Sequence, residues 1–129
     1  MPRSPEAARN ISDAESAVLE RALIVAATDD ASIALSKQAR TVQVIGRCGC
    51  GCASIDFLAP AKGQVARIVA DADATAPNGE YVGILVWAID SELSGLEFYS
   101  YSDTPAPIPV LASITVDGVA GAEFSGRFT

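Results

Sequence analysis

All three cysteines of the chain lie within the stretch RCGCGCASIDF, at Cys48, Cys50 and Cys52, with Gly49 and Gly51 between them. Thiols this close together suit coordination of a soft metal ion, a redox couple between neighbours, or plain packing as small apolar side chains. Spacing tests the first. Alternate residues of a strand sit about 6.5 to 7 Å apart, at a rise of roughly 3.3 Å per residue. Zinc–sulfur bonds of about 2.3 Å need neighbouring sulfurs a little under 4 Å apart. Two of these thiols converge with modest bending. All three converge only if the segment folds back on itself, and a carboxylate or water must then complete a zinc shell. Structural zinc sites usually draw on a second, distant pair of cysteines, which this chain lacks. A redox couple needs a cation or a helix N-terminus to stabilise a thiolate, and Arg47 is the only adjacent candidate. The cysteines are therefore expected to be filling where two strands turn against each other, with no cofactor. Zinc held by Cys48, Cys50 and Cys52, or redox sensing through them, is the runner-up.

The backbone beneath the thiols carries its own signal. Val42 and Val44 are apolar at even positions before the cysteines, whereas Ala53, Ile55 and Phe57 are apolar at odd positions after them. A straight strand would swap its buried face midway, so a bulge or tight turn must absorb one residue of slip. Gly49 and Gly51 permit either.

The elements around this point follow from pattern. Ser12 followed by Glu15 is a capping box, and Val18, Leu19, Ala22, Leu23 and Ala26 recur at helical spacing, so a helix is expected over about 13–27. Asp29 or Asp30 caps a shorter helix over roughly 31–39, with Ile33, Leu35 and Ala39 as its apolar side. Strands are expected at TVQVI, ASIDFLA, YVGILVWAID and LEFYSYS; QVARIVADADA reads as either helix or strand, and the turn close behind Val65, Ile68 and Val69 favours strand. Asn78-Gly79 marks a tight hairpin, and Asp90-Ser91-Glu92 with Gly95 makes the next connection. The strand from Tyr81 is apolar at both parities and belongs inside the sheet, with Trp87 in the core. Pro105, Pro107 and Pro109 keep SDTPAPIPV out of any interior strand and along the surface. Residues 1–9 read as a loose arm, and the glycine-rich end of the 103–129 segment, with Asp117-Gly118, as an edge hairpin or a tail. The pattern predicts a single α+β domain over 1–129: one or two N-terminal helices on an antiparallel meander sheet of four to six strands.

Bulk chemistry excludes several functions. The chain has no histidine, so Ser-His-Asp and Cys-His catalysis are impossible within it. Nine basic residues, scattered in a chain of net charge −7, form no patch for nucleic acid or an anionic membrane surface. No apolar run approaches the roughly 20 residues of a membrane helix, and the N-terminus has no secretory h-region, so a cytoplasmic protein is expected. The acidic field suits a basic protein partner.

Other constellations are weaker. Asp71, Asp73 and Thr75 resemble the start of a calcium loop, but Ala76 and Val82 stand where glycine and glutamate are required; a solvated strand end is expected instead. Asp56, Asp90 and Glu92 offer carboxylates for hydrolysis, but one Trp, three Tyr and four Phe are too few to wall a glycosidase cleft. Glu97, Tyr99 and Tyr101 alternate with Leu96 and Phe98, which places them on the outer face of a strand as partner-binding candidates.

The succession CGCGCASIDF, YVGILVWAID, LSGLEFYSYSD and a proline-rich step resembles a group of small bacterial proteins without an assigned activity. In these a Cys-x-Cys-Gly-Cys segment precedes a strand and a Leu-Glu-x-Tyr segment lies near the end. The likeness spans about residues 41–105, implies a compact α+β domain and carries over no functional residues. The function expected is a non-enzymatic binding or regulatory module, in its specific form an immunity-like inhibitor of a basic toxin. An apolar sheet edge or face leaves room for a homo-oligomer.

Overall fold

The computed structural model describes residues 3–116, with side chains from residue 8 onward. Two helices, α1 (Asp13–Ala26) and the single turn α2 (Asp30–Ile33), precede most of the sheet, and a 3-10 turn over Ala34–Gln38 continues α2. The strands are β1 (Arg3–Asn10), β2 (Gln43–Cys48), β3 (Ile55–Asp56), β4 (Arg67–Thr75), β5 (Tyr81–Ile89) and β6 (Glu92–Tyr99). They form one antiparallel sheet in the order β1-β2-β3-β6-β5-β4. The α+β architecture is the one the pattern predicts. Its meander has two parts, β1-β2-β3 and β4-β5-β6, joined where short β3 pairs with β6.

The stretch expected to be a loose arm is β1, an edge strand pairing Arg3 with Cys48 and Asn10 with Gln43. Its proline concealed it: Pro5 denies a central strand but leaves an edge position open. A register shift between Pro5 and Arg9 accommodates the interruption.

Helix α1 starts where its capping box says it should. Ser12 Oγ accepts from the Glu15 N–H at 3.1 Å, and Glu15 Oε1 accepts from the Ser12 N–H at 2.9 Å. Arg9 adds two bonds of 3.0 Å to the same carboxylate. Burial alone would raise the Glu15 carboxyl; the bonds from Arg9 and Ser12 outweigh it and hold the group below its ordinary 4.5. A lowered carboxyl contributes stability above its unfolded value and loses it as pH falls. Glu15→Ala is expected to cost about 1–2 kcal/mol at neutral pH. The gap to the parent should narrow toward pH 3 in urea titrations; an equal gap at both pH values would refute this account.

Helix α1 lays Val18, Leu19, Ala22, Leu23 and Ala26 against one face of the sheet, whose contribution is Ala70, Ala72 and Ala74 of β4, Val82, Ile84 and Val86 of β5, and Leu96 and Phe98 of β6. Alanines on β4 let the helix approach closely. The short second helix packs Leu35 and Ala39, but Ile33 points to solvent at 41 % exposure, contrary to expectation. The reason is geometric: residues two apart lie about 200° apart around a helix of 3.6 residues per turn, so Ile33 and Leu35 cannot share a buried side.

The hairpins also refine the reading. Gly79 N–H donates to Ala76 O and Ala76 N–H to Glu80 O, both at 2.8 Å, and in this turn only Gly79 has positive φ, at 90°. This is a three-residue loop ending in a left-handed glycine, not a two-residue turn centred on Asn78-Gly79. The β5–β6 connection is just Asp90-Ser91, with Asp90 at φ 54°. Gly95 lies inside β6 opposite Trp87. Next to it Ser94 is an extra residue in the ladder, and its carbonyl and hydroxyl hold the backbone of Phe57 and Leu58 as the chain leaves β3.

The proline step runs along the surface as predicted and ties two parts together. Ala53 N–H donates to Ala106 O at 2.9 Å, and Val110 N–H to Thr75 O at 2.8 Å. Beyond it, Asp73 and Thr115 exchange backbone bonds of 2.9 and 2.8 Å, covering the β4 edge. The hairpin signal at Asp117-Gly118 lies outside the described residues. No described helix is long and apolar enough to cross a membrane.

Candidate metal centre

Residues 49–53 reverse the chain between β2 and β3, so the slip in parity is absorbed by a turn. Cys48 N–H donates to Ser54 O at 3.2 Å across its mouth. Gly51 takes φ 92°, a region that favours glycine, whereas Gly49 does not have positive φ. A Cβ on Gly51 would also stand 3.8 Å from Pro105, so the proline step lies against the turn.

This reversal meets the condition under which all three thiols converge. The sulfurs of Cys48, Cys50 and Cys52 lie within 4.8 Å of one another, and all three residues are half-buried. Cys48 Sγ and Cys50 Sγ are 2.7 Å apart. Backbone amides point at the cluster: Cys50 N–H donates to Cys48 Sγ and Cys52 N–H to Cys50 Sγ, each at 3.4 Å. Donors aimed at sulfur complement the charge of a metal-bound thiolate. Cys52 also packs against the core, as expected of a filling thiol.

Ser54, which the sequence reading passes over, anchors the turn. It is buried, and its Oγ accepts from the Phe98 N–H at 2.8 Å and donates to Phe98 O at 3.2 Å. A side chain thus extends the β3–β6 ladder beyond Ile55. Cys52 Sγ sits 3.3 Å from the same oxygen. The signal available in sequence was a lone polar residue between Ala53 and Ile55 at the mouth of the predicted turn.

The partner-binding candidates separate. Tyr99 and Tyr101 meet at 6.0 Å between ring centres, edge to face, and Tyr101 is 83 % exposed. Glu97 is drawn away to Trp87, whose Nε1–H donates to it at 3.1 Å. Trp87 therefore lies on the outer face of the sheet and not in the core; on β5 the even positions face the helix. The third member of the cluster is Tyr81, stacked on Tyr101 at 5.3 Å. Tyr99 crosses the sheet over Gly83, where a Cβ would fall 2.1 Å from the ring. A glycine opposite an aromatic in adjacent strands is the sequence sign of such a crossing, but it needs the register to be read.

Asp73 is buried at 8 % exposure and accepts the Tyr81 hydroxyl hydrogen bond, so it is not the solvated strand end expected; Asp71 and Thr75 are exposed. Burial first, then the bond to Asp73, raises the Tyr81 phenol far above its ordinary 10.0. A raised phenol contributes stability below its unfolded value and loses it as pH climbs past about 10. Tyr81→Phe is expected to cost about 1 kcal/mol at neutral pH and to flatten the alkaline fall in stability. Identical alkaline slopes in the two proteins would refute this. A recess of about 140 Å³ beside Tyr81, bordered by Glu80, Ser100 and Pro105, is well below the roughly 300 Å³ of a typical ligand pocket.

Asp56, Asp90 and Glu92 do not gather into one cluster; among the described residues the cysteines alone form a cluster of three potential ligands. The chain matches no protein-family model, no curated protein and no solved structure.

Proposed function

We propose that the protein is a non-enzymatic module that binds a thiophilic metal ion through Cys48, Cys50 and Cys52. The supporting observation is the convergence of the three sulfurs within 4.8 Å on a folded-back turn. Half-burial leaves an entry path for the ion, and the anchored backbone limits the ordering that binding requires. Cadmium is a suitable probe because sulfur-to-cadmium charge transfer reports thiolate ligation directly. Reduced protein titrated with Cd(II) is expected to saturate at one ion per chain, with all three thiols protected from alkylation. Thiols that stay fully reactive, with no absorbance change, would end this reading.

A second reading rests on the exposed face of Tyr101, set against Tyr81 and Tyr99 in a chain of net charge −7. This face suits a basic protein partner, which Tyr gives rigid contact area at low entropy cost. Binding that survives high salt and weakens on Tyr101→Ala supports it. Association that vanishes at modest salt in both proteins refutes it.

A further inference from the structure

The identity of the ion follows from what surrounds the sulfurs. The chain contains no histidine, so an imidazole ligand is excluded. Among the described residues no carboxylate joins the sulfur cluster. The nearby Ser54 Oγ is occupied by the Phe98 N–H and carbonyl. Among the described residues, the side-chain donors gathered here are three sulfurs.

Zinc would need a water or another oxygen to complete its tetrahedron here, and iron–sulfur clusters take four protein ligands. Soft thiolates also select Cu(I), a closed-shell ion that is satisfied by three ligands in a plane. We propose, building on the metal-binding reading above, that the site takes one Cu(I) ion in a three-sulfur shell. Metal–sulfur bonds of about 2.3 Å in a trigonal plane set neighbouring sulfurs about 4 Å apart. The observed limit of 4.8 Å spans that value, and the 2.7 Å pair must open. Cys50 lies half-exposed within the turn, so rotation about its Cα–Cβ bond opens the pair without moving a strand. The ion–sulfur unit carries net negative charge, which the amides of Cys50 and Cys52 already face.

The balance is simple. Up to three S–H protons pass to solvent as three copper–sulfur bonds form, and copper enters and stays as Cu(I), with no electron transferred.

The test is competition under anaerobic, reducing conditions, with Cu(I) presented as its bicinchoninate complex to the full chain. One equivalent of Cu(I) is expected to leave the chelator, and X-ray absorption is expected to find sulfur as the only first-shell element, at a coordination number of three. Cys52→Ser, verified as folded by circular dichroism, should lose far more affinity than the roughly 10- to 100-fold of an outer-shell change. If Cu(I) stays with the chelator while Cd(II) or Zn(II) is retained, or if the shell includes oxygen or nitrogen, the copper assignment fails and the metal-binding reading stands. If none of the ions is retained, both fail.

Discussion

Replacing Cys50 by serine is expected to abolish stoichiometric retention of a thiophilic ion and leave the fold in place. Cys50 is the middle thiol: its sulfur is 2.7 Å from that of Cys48 and accepts the N–H of Cys52. Serine offers a harder, neutral oxygen that soft ions do not favour. Two sulfurs remain, too few for the three-sulfur shell. The side chain is half-exposed in a turn, so the stability change should stay within about 0.5 kcal/mol. Metal content after gel filtration measures the first effect and urea unfolding the second. A variant that keeps its ion would remove the thiol cluster from the function, and one that unfolds would make Cys50 structural.

Ser54→Ala should be felt in both stability and affinity. The hydroxyl is the side-chain partner of the Phe98 N–H and carbonyl inside the sheet. Ser54 is 2 % exposed, so water cannot readily replace it. Removing it is expected to cost about 1–3 kcal/mol, the penalty for unsatisfied buried polar groups. The same oxygen lies 3.3 Å from Cys52 Sγ. Its loss removes the side-chain tie between the turn and the sheet and is expected to lower metal affinity roughly 10- to 100-fold, as outer-shell changes do. Ser54→Ala with unchanged unfolding midpoint and unchanged affinity would mean that the β2–β3 turn is held by its backbone bonds alone.

Much of the fold was legible because its signals are local. The capping box at Ser12 and Glu15 acts within one turn of helix, and α1 begins there. The alternation in TVQVI and LEFY and the glycine-bearing turn before Tyr81 likewise depend on neighbours only. The arm that proved to be β1 was hidden because an edge strand accepts prolines and needs no apolar alternation; its partner β2 lies more than thirty residues away. The side that Trp87 faces is hidden for a related reason. β5 is apolar at both parities, and only helix α1, packing against the even positions, determines which parity is the core.

The candidate site divides the same way. Sequence alone established that three thiols sit among glycines, that parity breaks at that point, and that no imidazole can assist. These are matters of composition and order. Which atoms meet was settled by the tertiary structure: pairing of β2 with β3 turns the chain back, and Ser54 and Ala53 pin the turn to Phe98 and Ala106. The partners of those bonds lie 44 and 53 positions along the chain, at distances that a reading of nearest neighbours does not reach. Convergence of sulfur is a property of that long-range closure, and local spacing could state only the condition for it.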